Sequence, residues 1–172
     1  MNAVMKNILT RRSCRTFADK PVSREDLLDI LKAAAYAPSG MNRQTWQFIA
    51  VTGREKIEKL SAAISSATGR QNYDMYRPAA IILTTNEKDS RFAREDNACA
   101  LENIFLAAHS LGIGSVWINQ LSGICDEPVI RKVLCELGVR PDHDVFGIAA
   151  LGYPAAPLPG EVSKTGVIKI VE

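Results

Sequence analysis

Two short polar segments contain the residues whose types and spacing could do chemistry. The first, called the arginine segment here, is RRSCR at residues 11–15, whose guanidinium groups and hydroxyl are suited to bidentate capture of a phosphate. The second, called the amide loop, is APSGMNRQ at residues 37–44, whose proline, serine, glycine and asparagine predict a fixed loop. Asn42 and Gln44 add amides that can hydrogen-bond the edge of a heterocycle. Taken singly, the arginine segment is also typical of a solvated helix end and the amide loop of an ordinary turn.

Other catalytic patterns are incomplete. Residues 112–114 form a GxG, but Trp117 stands at the third position of a dinucleotide-binding turn, and the segment leads from a helix into a strand. Phosphate-loop, zinc-protease and nucleophile-elbow motifs are missing. Cys14 lies between two arginines, which would lower its thiol pKa, but no base is near it in the sequence. His109 lies inside an apolar stretch and is more typical of a core or interface residue than of a catalytic one.

Composition limits the class of protein. A chain of 172 residues with 47% hydrophobic and 23% charged residues is expected to form one domain, residues 1–172, with a real core. The net charge of +2 argues against a general nucleic-acid binder. The four cysteines show no zinc spacing, and neither a signal peptide nor a membrane-spanning run is recognisable. We therefore expect a reduced, cytoplasmic protein without metal, nucleic-acid or membrane partners.

Helical and alternating patterns predict the elements that must position these segments. Predicted helices span residues 3–12, 24–37, 55–67, 98–108 and 127–137. Predicted strands span residues 46–51, 79–85, 115–119, 145–151 and 167–171. Ser23 is the expected N-cap of the second helix, and Pro38 is expected to end it. Because helices and strands interleave without a regular βαβ rhythm, the pattern favours an α+β fold with helices on both faces of a sheet.

The predicted helix at residues 98–108 (ACALENIFLAA) is apolar nearly all round. Only Glu102 and Asn103 are polar among its eleven residues, so nearly every side of the helix must be covered. It is either the central core helix of a monomer or a helix shared with a second subunit. The short chain leaves little to surround it, which favours a homodimer.

Taken together, the two polar segments are distinctive. RRSCRTF followed by a helix and then APSGMNRQTWQF resembles the FMN-dependent nitroreductase family, whose pattern is roughly R-x-S-x-R-x-F, a helix, and P-S-x-x-N-x-Q-P-W-x-F. LENIFLAAHSLGIGSVWI, residues 101–118, looks like the family's long dimer helix and the strand after it. GIAALGYPAAPLP, residues 147–159, is similar to the penultimate strand and proline-rich arm. The resemblance spans nearly the whole chain.

This resemblance implies a fold, an assembly and a reaction. The fold would be a three-layer α/β/α arrangement around a mixed or antiparallel sheet, in a homodimer that shares the long helix and exchanges C-terminal arms of about residues 153–172. FMN would take a hydride from NADH or NADPH and pass it to a small oxidant such as a nitroaromatic or quinone, by a ping-pong cycle. The alternatives are alkene reduction or dehalogenation, a flavin-binding redox sensor without turnover, and a flavin-free interaction domain.

The resemblance also implies which residues hold the flavin. On one subunit, four residues would contact the FMN phosphate, the ribityl chain and part of the polar edge of the ring: Arg11, Arg12, Ser13 and Arg15. The other subunit would contribute Pro38, Ser39, Gly40 and Asn42, with Gln44 from the same motif. Trp117, Ile118 and Asn119 would run beside the ring, with a backbone N–H near its N5 atom, and Lys164 would reach the phosphate. Asn72 is a further possible match, and no residue is assigned as an acid or base.

Four departures from the family pattern bear on the site. Thr45 replaces a common proline, which predicts a less rigid loop, and Gly166 stands where relatives often have arginine. Asn119 and Gln120 replace a Glu-Gly pair of some relatives. The short connection between the strand at 79–85 and the long helix leaves no room for the helices that roof the pocket of larger relatives. The sequence therefore predicts an open site.

Overall fold

The longest apolar strands form the centre of the sheet. The computed structural model describes residues 1–172 and contains strands β1 (Gln47–Val51), β2 (Ala80–Glu87), β3 (Gly114–Ile118) and β4 (His143–Gly152). Their order is β1-β2-β4-β3, and every neighbouring pair is antiparallel. β2 and β4 are buried along nearly their whole length, as expected for strands that are covered on both faces.

Five helices cover the two faces of the sheet. They are α1 (Ala3–Thr10), α2 (Arg24–Ala35), α3 (Arg54–Thr68), α4 (Ala93–Ser110) and α5 (Pro128–Glu136). Residues of α3 and α5 form one core cluster with Ile81 and Leu83, whereas residues of α2 and α4 form a second with Ile82 and Ala149. The alternation of β2 side chains between the two clusters confirms the predicted helix layer on each face. No helix here has the length and apolar character needed to cross a membrane.

The helix ends follow local chemistry. Ser23 caps α2 by accepting a hydrogen bond from the Asp26 backbone N–H at 3.0 Å, as predicted. α1 ends two residues earlier than predicted because Arg11 turns extended, with φ −59° and ψ 135°. α4 begins at Ala93, five residues before the predicted start. The prediction missed the first turn of this helix because that turn is polar and does not belong to the apolar pattern.

The predicted strand at residues 167–171 is wrong for the single chain. No strand follows β4, and the side chains of Val167 and Ile168 are 96% and 95% exposed. β structure requires a neighbouring edge with which to exchange hydrogen bonds, and this part of the chain has none. The arm beyond Tyr153 is instead an extended segment with few contacts to the domain.

α4 is the central helix of its layer. It packs on the sheet, on α2 and on α1, and its Leu101 and Ile104 are fully buried. Its outward side exposes Cys99 and Glu102. Within one chain α4 is therefore a core helix with one open side.

Candidate functional site

The arginine segment lies along the edge of the sheet, beside β3. Ser13 pairs in parallel with Ser115, and the Cys14 backbone N–H donates to the Ser115 carbonyl at 2.9 Å. A second bridge joins Phe17 to Pro154. The segment is therefore held in an extended conformation along β3 by single bridges.

Cys14 anchors this extended segment. Its side chain is fully buried, and its thiol donates to the Thr16 carbonyl at 3.2 Å. It fits because residue 114 is glycine: a Cβ there would lie 2.7 Å from Cys14 Cβ and 2.9 Å from its sulfur. Burial raises the pKa of the Cys14 thiol, so the thiolate that flanking arginines would favour is not stabilised here.

With Cys14 facing inward, alternate residues of an extended segment face outward. Ser13 and Arg15 are exposed, and Arg11 extends over α4. The Arg11 guanidinium lies 5.9 Å from the centroid of the Phe105 ring, and its Nε lies 4.0 Å from a Glu102 carboxylate oxygen. No other carboxylate approaches an arginine of this segment within 4.0 Å. The outward side therefore carries cationic charge that is scarcely neutralised.

Arg12 has a different environment from its neighbours. Its Nη1 donates to the Leu9 and Arg11 carbonyls at 2.8 and 2.6 Å, and its Nη2 donates to the Gly160 carbonyl of the arm. Its Nε is buried and has no hydrogen-bond partner. Arg12 thus connects the end of α1 to the arm, and its Nε–H group remains without an acceptor.

The amide loop is fastened to the beginning of α4. The Gly40 backbone N–H donates to the buried Asp96 carboxylate at 2.8 Å. A Cβ at Gly40 would lie 2.3 Å from a ring carbon of Phe92, so packing alone requires glycine here. Sequence reasoning missed Asp96, for which the only signal was its place in an acidic first helical turn.

Bonds within the loop hold its amides in place. The Gln44 side-chain amide donates to Asn42 Oδ1 at 2.8 Å, and its backbone N–H donates to Ser39 Oγ at 3.2 Å. Met41, Asn42 and Gln44 have φ near +55°, a region that such residues rarely adopt. Pro38 is exposed at the start of the loop.

Thr45 attaches the end of the amide loop to the sheet. Its hydroxyl donates to the side-chain oxygen of Asn86 in β2, at 2.7 Å. This bond ties the loop to the sheet at the position where the family commonly has proline. The threonine hydroxyl therefore supplies a tertiary contact that a proline at this position would lack.

A single chain does not bring the two polar segments together. The amide loop precedes β1 at one edge of the sheet, and the arginine segment lies beside β3 at the other edge. Along α4, the loop contacts Asp96 and Arg11 approaches Glu102, a separation of about 9 Å at the usual helical rise. The two segments therefore start from opposite edges of the sheet and are attached to α4 at different turns.

Only part of the segment 117–119 is available to a ligand. Trp117 is 44% exposed, and its ring centroid lies 6.1 Å from that of Phe105. Ile118 is buried in the opposite core, so only its backbone can face a ligand. The Asn119 backbone N–H donates to the side-chain oxygen of Gln120 at 3.1 Å. That side chain must rotate away before the N–H can serve a ligand.

The last predicted contact lies in the arm. Lys164 is exposed there, four residues after Gly160, whose carbonyl accepts the Arg12 hydrogen bond. No hydrogen bond or ion pair joins Lys164 to the rest of the chain.

The chain is similar to known proteins over nearly its whole length. A family model described as "Nitroreductase family" matches residues 8–153. A crystal structure of a nitroreductase with bound FMN from Bacteroides fragilis is 41% identical, covers 100% of both chains and has a TM-score of 0.92. A nitroreductase with bound FMN from Desulfitobacterium hafniense is 27% identical, with 100% coverage of both chains and a TM-score of 0.85. A protein of Archaeoglobus fulgidus, provisionally named as an NADH dehydrogenase/NAD(P)H nitroreductase, is 40% identical over 90% of this chain and 87% of its own length.

Proposed function

The chain belongs to the nitroreductase family, and we propose that it is an FMN-dependent oxidoreductase that takes a hydride from NADH or NADPH and reduces a small oxidant such as a nitroaromatic or quinone. The observation that carries this proposal is the arginine segment. It presents guanidinium groups on one edge of the sheet with a single carboxylate, Glu102, at the 4.0 Å limit of an ion pair. Such a charge excess is suited to a phosphate dianion.

The residues present fit FMN. The buried, unpartnered Nε of Arg12 is a donor that an anion could satisfy. Arg11, Ser13 and Arg15 share the outward side of one extended segment, which suits a phosphate and the hydroxyl chain that follows it. Trp117 and Phe105 provide an apolar wall next to these charges, as an aromatic ring system prefers.

The site is composite, and the second half comes from a partner subunit. Because the amide loop and the arginine segment lie at opposite edges of one sheet, a homodimer would place the loop of one chain against the arginines of the other. Pro38, Ser39, Gly40, Asn42 and Gln44 would then face the flavin from the partner. The open side of α4 and the exposed apolar end of the arm, residues 167–171, are the surfaces that such a dimer would bury.

In this reaction the flavin, when bound, accepts and returns the hydride, and the protein binds and orients it. Arg11, Arg12, Arg15 and Lys164 would hold the phosphate. The Asn119 backbone N–H would face the reactive edge of the ring once Gln120 has released it, and Asn42 would bond the ring's polar edge. No side chain near Trp117 is assigned a proton-transfer role.

A second candidate function follows from the openness of the site. β2 ends at Glu87 and α4 begins at Ala93, so residues 88–92 connect them without a helix that could cover the ring. Without such a helix, fewer contacts would hold a donor and an oxidant over the ring for hydride transfer. This feature favours, as the runner-up, a flavin-binding redox sensor without significant turnover.

Reconstitution with FMN tests the proposal. The visible spectrum of the purified, FMN-treated protein should show bound flavin, and NADH or NADPH with a nitroaromatic or quinone should support steady-state turnover. Protein that retains no flavin would overturn the central claim. Protein that binds flavin but turns over with neither NADH nor NADPH would leave the flavin-binding redox sensor as the remaining candidate function.

A further inference from the structure

A groove on the α3 side of the sheet is lined by two residues of the expected flavin contacts, Arg15 and the further match Asn72. It consists of two adjoining cavities of about 730 and 320 Å³ between the start of α3, the turn at residues 15–19 and the segment 70–77. Both cavities share Arg54, Glu58, Asp74 and Arg77 in their walls. The volume is in the range of sites that hold small organic ligands.

The wall of the larger cavity carries three guanidinium groups, those of Arg15, Arg54 and Arg77, and the three carboxylates of Asp19, Glu58 and Asp74. Arg54 has one distant carboxylate partner, Asp19, at 3.9 Å, and neither Arg15 nor Arg77 has a carboxylate within 4.0 Å. Arg54 is also the first residue of α3, a 15-residue helix whose N-terminus has no side-chain cap. Free backbone N–H groups at such a terminus favour an anion next to the same guanidinium groups.

The smaller cavity contains two hydroxyls that lack partners. Ser61 Oγ and Tyr73 Oη are both buried, and neither has a hydrogen-bond partner in the chain. Buried hydroxyls in folded proteins are nearly always bonded. A ligand with its own donors and acceptors would supply the missing partners, and the carboxylates of Glu58 and Asp74 could accept from ligand hydroxyl or amino groups.

The segment that lines the groove is strained. Asn72, Met75, Tyr76 and Arg77 all have φ between +50° and +67°. Three consecutive non-glycine residues in this region cost free energy, and such strain collects at binding sites. Met75 is fully buried and holds the segment in this conformation, which leaves Tyr76 and Arg77 exposed on the groove.

We propose that this groove binds the diphosphate and adenosine of the dinucleotide donor, with Arg54 and Arg77 on the phosphates and the smaller cavity on the nucleoside. The inference rests on the proposed function, since it presupposes that NADH or NADPH is the donor. Arg15 connects the two sites: it belongs to the arginine segment and also lines the groove. A donor whose nicotinamide lies over the flavin would then extend its nucleotide along α3.

The test compares a full donor with one that lacks the nucleotide. Arg77→Gln and Arg54→Gln should each raise the KM for NADH or NADPH about tenfold, which matches the loss of one charge-assisted bond. The KM for 1-benzyl-1,4-dihydronicotinamide, which has no phosphate or adenosine, should not change. Lys56→Gln is the matched control, because Lys56 is on the same helix but outside the groove. Calorimetry with ADP on the FMN-loaded protein should show binding that Arg77→Gln weakens and Lys56→Gln does not.

The outcomes separate this inference from the proposed function. The groove assignment would be overturned if Arg77→Gln raised the KM equally for the dinucleotide and for the benzyl compound. ADP binding that Arg77→Gln leaves unchanged would also overturn it. Turnover with the benzyl compound but not with the dinucleotides would also overturn it, while leaving flavin chemistry intact. If neither the dinucleotides nor the benzyl compound supports turnover, the proposed function is wrong. The ADP titration then tests independently whether the groove binds a nucleotide.

Discussion

Cys14 shows how the role of a residue depends on the side to which it points. In the sequence its thiol lies between two arginines, an arrangement that favours a low pKa and a reactive thiolate. In the fold the thiol is buried against Gly114, and burial raises its pKa. The residue therefore holds the arginine segment on β3, so that Arg11, Ser13 and Arg15 face outward.

At this scale we predict that Gly114→Ala weakens FMN binding about tenfold, since the added methyl group would displace Cys14 and the arginines beside it. Cys14→Gly in the same chain removes both clashing atoms and should restore most of the affinity. Flavin fluorescence during titration of the apoprotein gives the Kd of each variant. An unchanged Kd in Gly114→Ala, or no recovery in the double variant, would show that this contact does not position the arginines.

α4 is the element to which the other parts of the site are attached. Its first turn holds the amide loop through Asp96, its middle carries Phe105 beneath Arg11, and its last turns bind α1. The α1 contacts are Asn7 Nδ2 to the Leu106 carbonyl and Thr10 Oγ1 to His109 Nε2, both at 2.9 Å. A helix that is apolar nearly all round thus acts as a common support, and its periodicity predicted its existence but not these attachments.

We predict that Asp96→Ala detaches the amide loop, because the Gly40 backbone N–H loses its acceptor. An unsatisfied buried donor costs about 1–3 kcal/mol, so urea unfolding should show a loss of that order together with weaker FMN binding. Asp96→Asn keeps an acceptor oxygen and should retain most of both properties. Glu95→Ala, at an exposed neighbouring position, is the control. Equal losses in the Ala and Asn variants would argue against the hydrogen bond as the cause.

At the scale of the whole molecule, the proposed site would be built from segments at the two edges of the sheet. β1 and the amide loop lie at one edge, and β3 and the arginine segment lie at the other. A two-fold dimer is the simplest assembly that brings unlike halves of two identical chains together twice. The exposed arm and the open side of α4 are consistent with such an assembly.

Subunit complementation tests this arrangement. Arg15→Ala and Asn42→Ala homodimers should each bind FMN poorly, because each damages every site. Co-expression of the two chains should restore about a quarter of all sites, since half of the dimers are mixed and each mixed dimer has one intact site. Flavin content per chain after purification measures the recovery. Absence of recovery in a verified mixed dimer would indicate that both segments act within one chain.

The stability of the fold should depend on pH through His143. Its ring is buried, and its Nδ1 lies 2.8 Å from Thr85 Oγ1. Burial, followed by the charge of Arg140, lowers its pKa from the ordinary 6.5. Below pH 6.5 the unfolded chain therefore binds more protons than the folded one, so this contribution to stability is present above that pH and is lost as the pH falls.

Urea unfolding between pH 7 and pH 5 measures this effect. The wild type should lose stability over that interval, and His143→Asn, which preserves a polar partner for Thr85, should give a flatter profile. Identical slopes for the two proteins would assign the acid sensitivity to other groups.

The sequence by itself determined the family, the two polar segments and nearly every helix and strand, because local periodicity, capping and motif spacing are properties of neighbouring residues. The tertiary structure decided what depends on residues distant in the chain. It turned Cys14 inward against Gly114, assigned Asp96 to the amide loop and left residues 167–171 without a strand partner. It also assembled the groove from α3 and the segments 15–19 and 70–77. Burial and hydrogen-bond partners are set by packing between elements, and no local pattern records them.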